Sequence, residues 1–188
     1  MPYPEGHKQK VRGQIIESAA KAFRTNGTRE ISVPVIMKGA GLTHGGFYAH
    51  FENKEQLVSE ACCYAVTEGI ALMGKLADRE KEKPKIHTVI DYYLSPYHRD
   101  HPEIGCILPA ISSEISRTSE EVRQIFTREL ERMIYFLSDL AGIDKSAGSA
   151  LLSTMVGTLM LARSVNDPGL SESLLASGRQ HAKELIKS

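Results

Sequence analysis

The chain has 188 residues, of which 41% are hydrophobic and 24% are charged, a balance that is typical of a globular protein and argues against disorder. The formal net charge is zero, so the chain as a whole lacks the excess of positive charge that indicates nucleic-acid binding. Three cysteines (Cys62, Cys63 and Cys106) are too few for a disulfide framework and favour a reducing compartment. The N-terminus has no apolar signal core and the apolar stretch at 150–162 is too short to span a bilayer, so we expect a soluble, cytoplasmic protein without a membrane partner.

The charge is divided unevenly along the chain. Residues 1–50 contain seven Lys or Arg and three Glu, a net charge of +4, which leaves −4 for residues 51–188. A basic end on an acidic body is expected when only one end of a protein meets a polyanion.

Apolar residues recur at helical spacing through the N-terminal part, with no alternating strand pattern. After a polar arm, the predicted helices cover residues 11–26, 32–40, 43–50 and 54–76. Residues that commonly begin or end helices stand at their boundaries: Gly27, Ser32, Gly41, Thr43 and Asn53.

The same spacing continues beyond a charged loop at residues 78–85. The further predicted helices cover residues 84–97, 105–117, 118–140 and 144–166, and a last helix, capped by Ser171 or Ser173, runs to the C-terminus. The sequence therefore predicts an all-α protein of about nine helices.

Residues 31–57 carry the most informative pattern. A short helix, a turn around Gly41 and a second short helix form a helix-turn-helix, whose second helix can enter the DNA major groove. Its predicted packing core is Val33, Ile36, Ala40, Leu42, Phe47 and Phe51. Groups suited to bases and phosphates are left pointing outward on Thr43, His44, Tyr48 and His50, and Gly45 lets the backbone approach DNA closely.

The wider pattern is a set of residues at fixed spacing: Arg12, Ile15, Ala19, Phe23, Gly27, Ser32, Val33, Ile36, Ala40–Thr43, Phe47, Tyr48, His50, Phe51, Lys54, Glu55 and Leu57. Over about 50 residues it resembles the DNA-binding domain of TetR/AcrR family regulators. The resemblance implies an all-α homodimer whose two heads read a palindromic operator in double-stranded DNA. It also implies a helix-turn-helix DNA-binding domain at residues 1–53 and an effector-binding and dimerisation domain at residues 54–188.

The resemblance assigns DNA contacts by position. It places base reading at Thr43, His44 and Gly45, phosphate contacts at Tyr48, His50 and Lys54, and approach to the DNA backbone at Ser32 and Val33. We also expect phosphate contacts from three basic residues that precede the helix-turn-helix: Lys8, Lys10 and Arg12. The alternative for these three is an ordinary solvated arm.

The last two helices are expected to form the dimer interface. The helix at 144–166 carries a strip of small residues that favours close helix approach: Ser149, Ser153 and Gly157. The last helix has a matching face formed by Leu174, Gly178, His181 and Leu185. The alternative is that the helix at 144–166 is the central core helix of a monomer.

An effector pocket is expected among the middle helices. Its candidate lining is Tyr92, Tyr93, Tyr97, Cys106, Phe126, Met133, Met155 and Leu159. This lining suits a hydrophobic or aromatic small molecule, although residues of these types are more often plain core than ligand wall. The spacing of Pro102, Gly105 and Cys106 predicts a thiol in the first turn of a helix, where its pKa would fall. It resembles a subset of the family with Gly-Cys at this place, some of whose members sense electrophiles or oxidants, whereas the alternative is a buried small apolar residue.

No other chemistry is predicted. His87, His98 and His101 lack a carboxylate or thiol at the spacing that a metal site needs, and we expect no cofactor and no enzyme activity. The sequence favours a ligand-responsive repressor that releases its operator when a small molecule, or an electrophile or oxidant at Cys106, acts on the C-terminal domain. The alternatives are a helical dimeric interaction protein and a transcriptional activator.

Overall fold

A computed structural model describes residues 5–187, and within that range it contains nine α-helices and two short 3-10 helices. The α-helices are α1 (Glu5–Asn26), α2 (Val33–Gly39), α3 (Lys54–Arg79), α4 (Lys85–Tyr93), α5 (Pro96–Asp100), α6 (Leu108–Ile115), α7 (Glu120–Ala141), α8 (Lys145–Ser164) and α9 (Pro168–Leu185). The 3-10 helices are His44–Ala49 and Pro102–Ile104. The predicted all-α class is confirmed.

Several helix boundaries follow from the capping residues that the sequence indicated. The side chain of Asn53 accepts a hydrogen bond from the amide of Gln56 at 2.8 Å, and Asp144 caps α8 in the same way. Gly27 ends α1 with a φ of 73°, a left-handed conformation that glycine adopts without steric cost. These local signals were sufficient to predict the end of α1 and the starts of α3 and α8.

Two expectations in the N-terminal part were wrong. Helix α1 includes Lys8 and Lys10, so these residues lie on a helix and not on an irregular arm. The second helix of the helix-turn-helix is a 3-10 helix, and two adjacent glycines, Gly45 and Gly46, disfavour a regular α-helix there.

The predicted helix at 84–97 is divided in two. Helix α4 ends at Tyr93, and Ser95 begins α5 by accepting a hydrogen bond from the amide of His98 at 3.1 Å. Pro96 disfavours a helical conformation for the residue before it, which explains the break. Tyr97 consequently lies on a separate short helix.

Two later helices also begin elsewhere than predicted. Helix α6 starts at Leu108 and not at Gly105, so Cys106 precedes the helix and does not occupy its first turn. Helix α9 starts at Pro168 with Asp167 as its N-cap, so neither Ser171 nor Ser173 has that role. Proline is favoured in the first turn because it has no amide hydrogen to leave unpaired.

The long helix α3 connects the two parts of the molecule. It packs against α1 in the N-terminal part, here called the head (residues 5–53), and against α7 in the remainder, here called the body (residues 54–187). Helices α8 and α9 pack as a pair. By length and composition alone α3 is apolar enough to cross a membrane, and 44% of its most apolar stretch is buried inside the protein. Its packing between α1 and α7 accounts for this apolar character as that of a core helix.

Candidate functional site

The 3-10 helix His44–Ala49, here called the recognition helix, is held from beneath by aromatic residues. Phe47 and Phe51 are almost completely buried and their rings stack at 5.5 Å between centroids. Ile36 on α2 is buried in the same core, as predicted, and Val33, Ala40 and Leu42 are partly buried against it. This packing fixes which residues of the recognition helix face outward.

The outward side of the recognition helix carries polar groups that have no role in the core. Tyr48 is 70% exposed, and its ring lies edge-on to that of His44 at 6.5 Å between centroids. Thr43 and Gly45 are exposed beside them. A Cβ atom added at Gly45 would meet nothing within 4 Å, so the fold does not require glycine there. The missing side chain matters only to what approaches from outside.

Positive groups gather beside the end of the recognition helix. Burial lowers the pKa of His50, and the positive charges of Lys8, Arg12 and His7 lower it further. Lys8 and Lys10 are exposed on the first turns of α1. His50 is only half exposed, and its Nδ1 atom is buried without a hydrogen-bond partner. The expectation that His50 points freely outward was therefore wrong for this nitrogen.

Arg12 is engaged within the protein. Its guanidinium pairs with the carboxylate of Glu60 on α3, with Nη2 at 2.5 Å from Oε1, and its Nε donates to the carbonyl of His50 at 3.3 Å. The same group lies 4.5 Å from the centre of the Phe51 ring. In this conformation Arg12 braces α1 against α3 and the recognition helix, and its guanidinium is not free for the phosphate contact that the sequence suggested.

The remaining predicted DNA contacts lie at helix starts. Lys54 is the first residue of α3 and is half buried; burial lowers its pKa, and the negative charge of Glu114 partly offsets that effect. Ser32 begins α2 without a side-chain capping bond and is exposed, whereas the adjacent Val33 is half buried. These positions are on the same small head as the recognition helix.

The head matches a known family of DNA-binding domains. Residues 15–61 match the family described as bacterial regulatory proteins, tetR family. The chain is 28% identical over 162 residues to the probable HTH-type transcriptional regulator ArpR of Pseudomonas putida, which covers 84% of this chain and 67% of ArpR. It is 40% identical over 55 residues to the HTH-type transcriptional repressor KstR2 of Mycobacterium tuberculosis, which covers 29% of this chain and 28% of KstR2. The chain belongs to the TetR family.

The fold of this TetR-family protein is shared beyond the head. The crystal structure of a TetR transcriptional regulator from Chloroflexus aurantiacus superposes with a TM-score of 0.77 at 22% identity, over 97% of this chain and 96% of that one. The likeness covers α3–α9 as well as the head, so the body also has the architecture of the family.

The body of this TetR-family protein contains a small apolar cavity of about 20 Å³. Four of the predicted pocket residues line it: Tyr92, Tyr93, Cys106 and Met133. Other predicted residues lie elsewhere, because Met155 and Leu159 are fully buried core, Tyr97 is exposed and stacks on His101, and Phe126 is half buried on α7. The sequence missed several lining residues: Ala65, Gly69, Leu72, Met73, His98, Ile104 and Gly105.

His98 organises the wall of this cavity. Its Nδ1 donates to the carbonyl of Tyr93 at 2.6 Å, and its Nε2 accepts the amide hydrogen of Cys106 at 2.9 Å. Burial lowers the pKa of His98 to about 4, so the ring is neutral near pH 7 with its hydrogen on Nδ1. A Cβ atom at Gly105 would lie 2.5 Å from Nε2, which explains the glycine. With both nitrogens committed to the backbone, His98 has no free ligand position for a metal.

The environment of Cys106 is the opposite of the predicted one. The thiol is buried ahead of α6, and burial raises its pKa. The hydroxyl of Tyr93 is buried beside the thiol and makes no hydrogen bond of good geometry. Burial also raises the pKa of the other two thiols, to about 12 for Cys62 and to about 11 for Cys63. The prediction of an activated thiolate at Cys106 was wrong because the thiol lies in an apolar wall, and the alternative, a buried small apolar residue, is confirmed.

Helices α8 and α9 present a face of small and apolar residues. Ser153 and His181 are exposed, and the other predicted interface residues Ser149, Gly157, Leu174 and Leu185 are half buried. Exposed apolar side chains continue this face at Met160, Leu161 and Leu170. Gly178 is an exception: it is buried where α9 crosses α8, and an added Cβ atom would lie 2.5 Å from Thr158 Cγ2. Its role is packing within one chain, not between chains.

Proposed function

We propose that this chain is a cytoplasmic repressor that binds a palindromic operator as a homodimer and releases it when a small molecule enters the body cavity. The observation that carries the proposal is the recognition helix, whose inner side is fixed by buried aromatic rings while its outer side presents polar groups that the fold does not use. Residues 1–53 act as the DNA-binding domain and residues 54–188 as the effector-binding and dimerisation domain.

The proposed base contacts come from the outer side of the recognition helix. Thr43 and His44 offer hydrogen-bonding groups to base edges, and Gly45 lets the backbone come close to DNA. Ser32 and Val33 approach the DNA backbone at the start of α2. The phosphate contacts come from four residues around this helix: Lys8, Lys10, Tyr48 and Lys54. His50 is neutral near pH 7 and contributes a hydrogen bond without a charge.

The proposed dimer interface is the exposed face of α8 and α9. Small residues such as Ser153 and Gly157 permit two helices to approach closely, and Leu161 and Leu170 supply apolar area that a partner protomer would remove from water. In the proposed dimer, a two-fold axis through this face would bring the two heads to successive half-sites, about 34–36 Å apart on B-form DNA.

The proposed effector is a small, uncharged and mainly apolar molecule. The cavity wall is apolar apart from a few groups, and the Tyr93 hydroxyl offers a hydrogen bond that no protein atom takes. At about 20 Å³ the cavity is far smaller than the roughly 300–1,000 Å³ of ligand pockets, so it has to open. Leu72 and Ile104 line it and are 38% and 46% exposed, which makes them the mouth.

Covalent sensing at Cys106 is the second candidate mechanism, and its burial disfavours it. The variant Cys106→Ser decides between the two. For a non-covalent effector, electrophiles and hypochlorite should change operator binding of the wild type and of Cys106→Ser to the same small extent. A response that disappears in Cys106→Ser would establish the covalent mechanism.

The function itself is tested with the DNA that flanks the gene of this protein. Purified protein should shift a specific fragment at nanomolar to micromolar concentration, and raising the salt from about 50 to 200 mM should weaken binding steeply because phosphate contacts release counterions. Absence of any sequence-specific shift would favour a helical interaction protein instead. A reporter gene behind the bound fragment separates a repressor, which lowers expression, from an activator.

A further inference from the structure

A carboxylate of the body reaches into the head. Glu114, on the last turn of α6, accepts hydrogen bonds at its Oε2 from the amide and the hydroxyl of Thr28, both at 2.6 Å, and from the amide of Arg29 at 3.3 Å. Thr28 is buried. The turn between α1 and α2 therefore depends on a body residue, 86 positions away in sequence, to satisfy its amide groups.

The turn is shaped to receive this carboxylate. Gly27 has a φ of 73°, and a Cβ atom added there would collide with Oε1 of Glu114. Glycine at this position thus meets two requirements, the left-handed end of α1 and the close approach of Glu114. The contact is specific in shape as well as in charge.

The same carboxylate also acts electrostatically on the start of α3. Its negative charge opposes the lowering of the pKa of Lys54 by burial, and Lys54 is one of the proposed phosphate contacts. Glu114 therefore binds the turn before α2 and stabilises the charge of the first residue of α3.

The other end of α6 belongs to the cavity. Gly105 and Cys106 line the cavity, and Ile107 is the N-cap of α6. One short, rigid helix thus connects the cavity wall at its N-terminus with Glu114 at its C-terminus. A shift of the wall that admits an effector would therefore move α6 and, with it, the carboxylate.

We propose that Glu114 is a positioning residue for operator recognition, which fixes the α1–α2 turn against the body and transmits the state of the cavity to the DNA-binding surface. The proposal rests on the proposed function of the cavity and the head. Glu114 itself makes no contact with DNA in this scheme; it sets the position of the residues that do.

Two variants of Glu114 separate position from charge. Glu114→Asp keeps the charge and shortens the side chain by one methylene, whereas Glu114→Gln keeps the length and removes the charge. We expect Glu114→Asp to lower the affinity for a duplex selected by the wild-type protein by about tenfold, with unchanged affinity for a random duplex. The exposed helical residue Glu121 supplies the matched control, and Glu121→Asp should change neither affinity.

A carboxylate that acted only through its charge would give another pattern. Glu114→Asp would then bind like the wild type, and Glu114→Gln would bind both duplexes more tightly because a negative charge near DNA has been removed. That pattern would overturn the positioning role.

Transmission is tested by filling the cavity. A Cβ atom at Gly69 would lie 4.0 Å from Met133, so there is room for the first side-chain carbon. The remaining atoms of Gly69→Leu would force the cavity wall apart as an effector would. We expect Gly69→Leu to weaken operator binding about fivefold in the wild-type background and less than twofold in Glu114→Asp, since coupled residues give non-additive effects. Equal losses in both backgrounds would overturn the transmission.

Hydrogen exchange keeps the test independent of DNA. In the free protein, Glu114→Asp should speed amide exchange at Thr28 and Arg29 and also in the recognition helix, while Glu121→Asp leaves both unchanged. Unchanged exchange in the recognition helix would overturn the positioning role. If the wild-type protein selects no duplex, the proposed function fails, and this exchange measurement still decides the role of Glu114.

Discussion

The head and the body differ in how far their candidate functional residues are buried, as one tyrosine from each part illustrates. Tyr48 on the recognition helix is 70% exposed and touches the core only by an edge-on ring contact with Phe47, at 5.2 Å between centroids. Tyr93 in the cavity wall is 1% exposed and packs edge-on to His98 at 4.7 Å between centroids. The exposed residues of the proposed DNA-binding surface, such as Tyr48, contribute little to the packing of the head. Residues around the cavity hold the fold together at the place where an effector would bind, so function and stability should separate in the head and coincide in the body.

The largest effect that tests this comparison is acid destabilisation through His98. Its pKa is about 4 in the folded protein against 6.5 when unfolded, so the unfolded state binds more protons between these values. The contribution of neutral His98 to the free energy of unfolding should be fully present above about pH 6.5. It should be lost as the pH falls, by roughly 3 kcal/mol at about pH 4. Urea unfolding at several pH values measures it.

His98→Asn is the control for this titration. Removing the imidazole should flatten the pH dependence between pH 6.5 and 4, leaving a smaller slope from His50 and His87, whose pKa values are also lowered by burial. The positive charges of Arg24 and Arg163 near His98 act in the same direction as its burial. If the free energy of unfolding depended on pH with the same slope in the wild type and the variant, His98 would not be the cause of the acid destabilisation.

A second test lies at the crossing of α8 and α9. Gly178→Val places methyl groups against Thr158 and should lower the free energy of unfolding by about 2 kcal/mol, the usual range for overpacking. Gly74→Ala on α3 is the matched control, because an added Cβ atom there meets nothing within 4 Å. Thermal unfolding of both variants checks the difference; a stable Gly178→Val would mean that the crossing can relax.

The third test is at the recognition helix. Tyr48→Ala should lower operator affinity about tenfold, close to 1.4 kcal/mol, and leave the midpoint of thermal unfolding unchanged because the side chain is exposed. Tyr48→Phe separates the hydroxyl from the ring. A lower midpoint of thermal unfolding in Tyr48→Ala would contradict the difference between head and body, because it would show that Tyr48 stabilises the fold.

The smallest effect is expected at Gly45. An added Cβ atom has open space there, so Gly45→Ala should change the free energy of unfolding by less than about 0.5 kcal/mol, as for other surface substitutions. Operator affinity should fall by a few fold, because the new methyl group stands between the backbone and DNA. Unchanged affinity for the selected duplex would place Gly45 outside the interface.

The head was more predictable than the body for a physical reason. Helical periodicity and capping residues act within a few positions, so the sequence was sufficient to predict the buried Ile36, Phe47 and Phe51 and the caps Gly27 and Asn53. The predicted core of the helix-turn-helix was confirmed on these grounds.

The contacts that escaped prediction join distant positions. Arg12 meets Glu60 across 48 residues, and Glu114 meets Thr28 across 86. Neither pair has a periodic signal, because each depends on how α1, α3 and α6 pack. His98 was considered only as a metal ligand, since nothing local indicates that its ring receives the amide of Cys106. That same contact orders the segment before α6 and delays the start of the helix.

In the proposed mechanism, the closed cavity would also set the effector concentration at which the protein responds. An effector would bind only the fraction of molecules in which Leu72 and Ile104 have separated, so an open fraction of about 1% would weaken its apparent affinity by about a hundredfold. Substitutions at these two exposed residues should therefore shift the concentration at which the protein responds without changing which compound it recognises. Sensitivity and selectivity can then be inherited and altered separately.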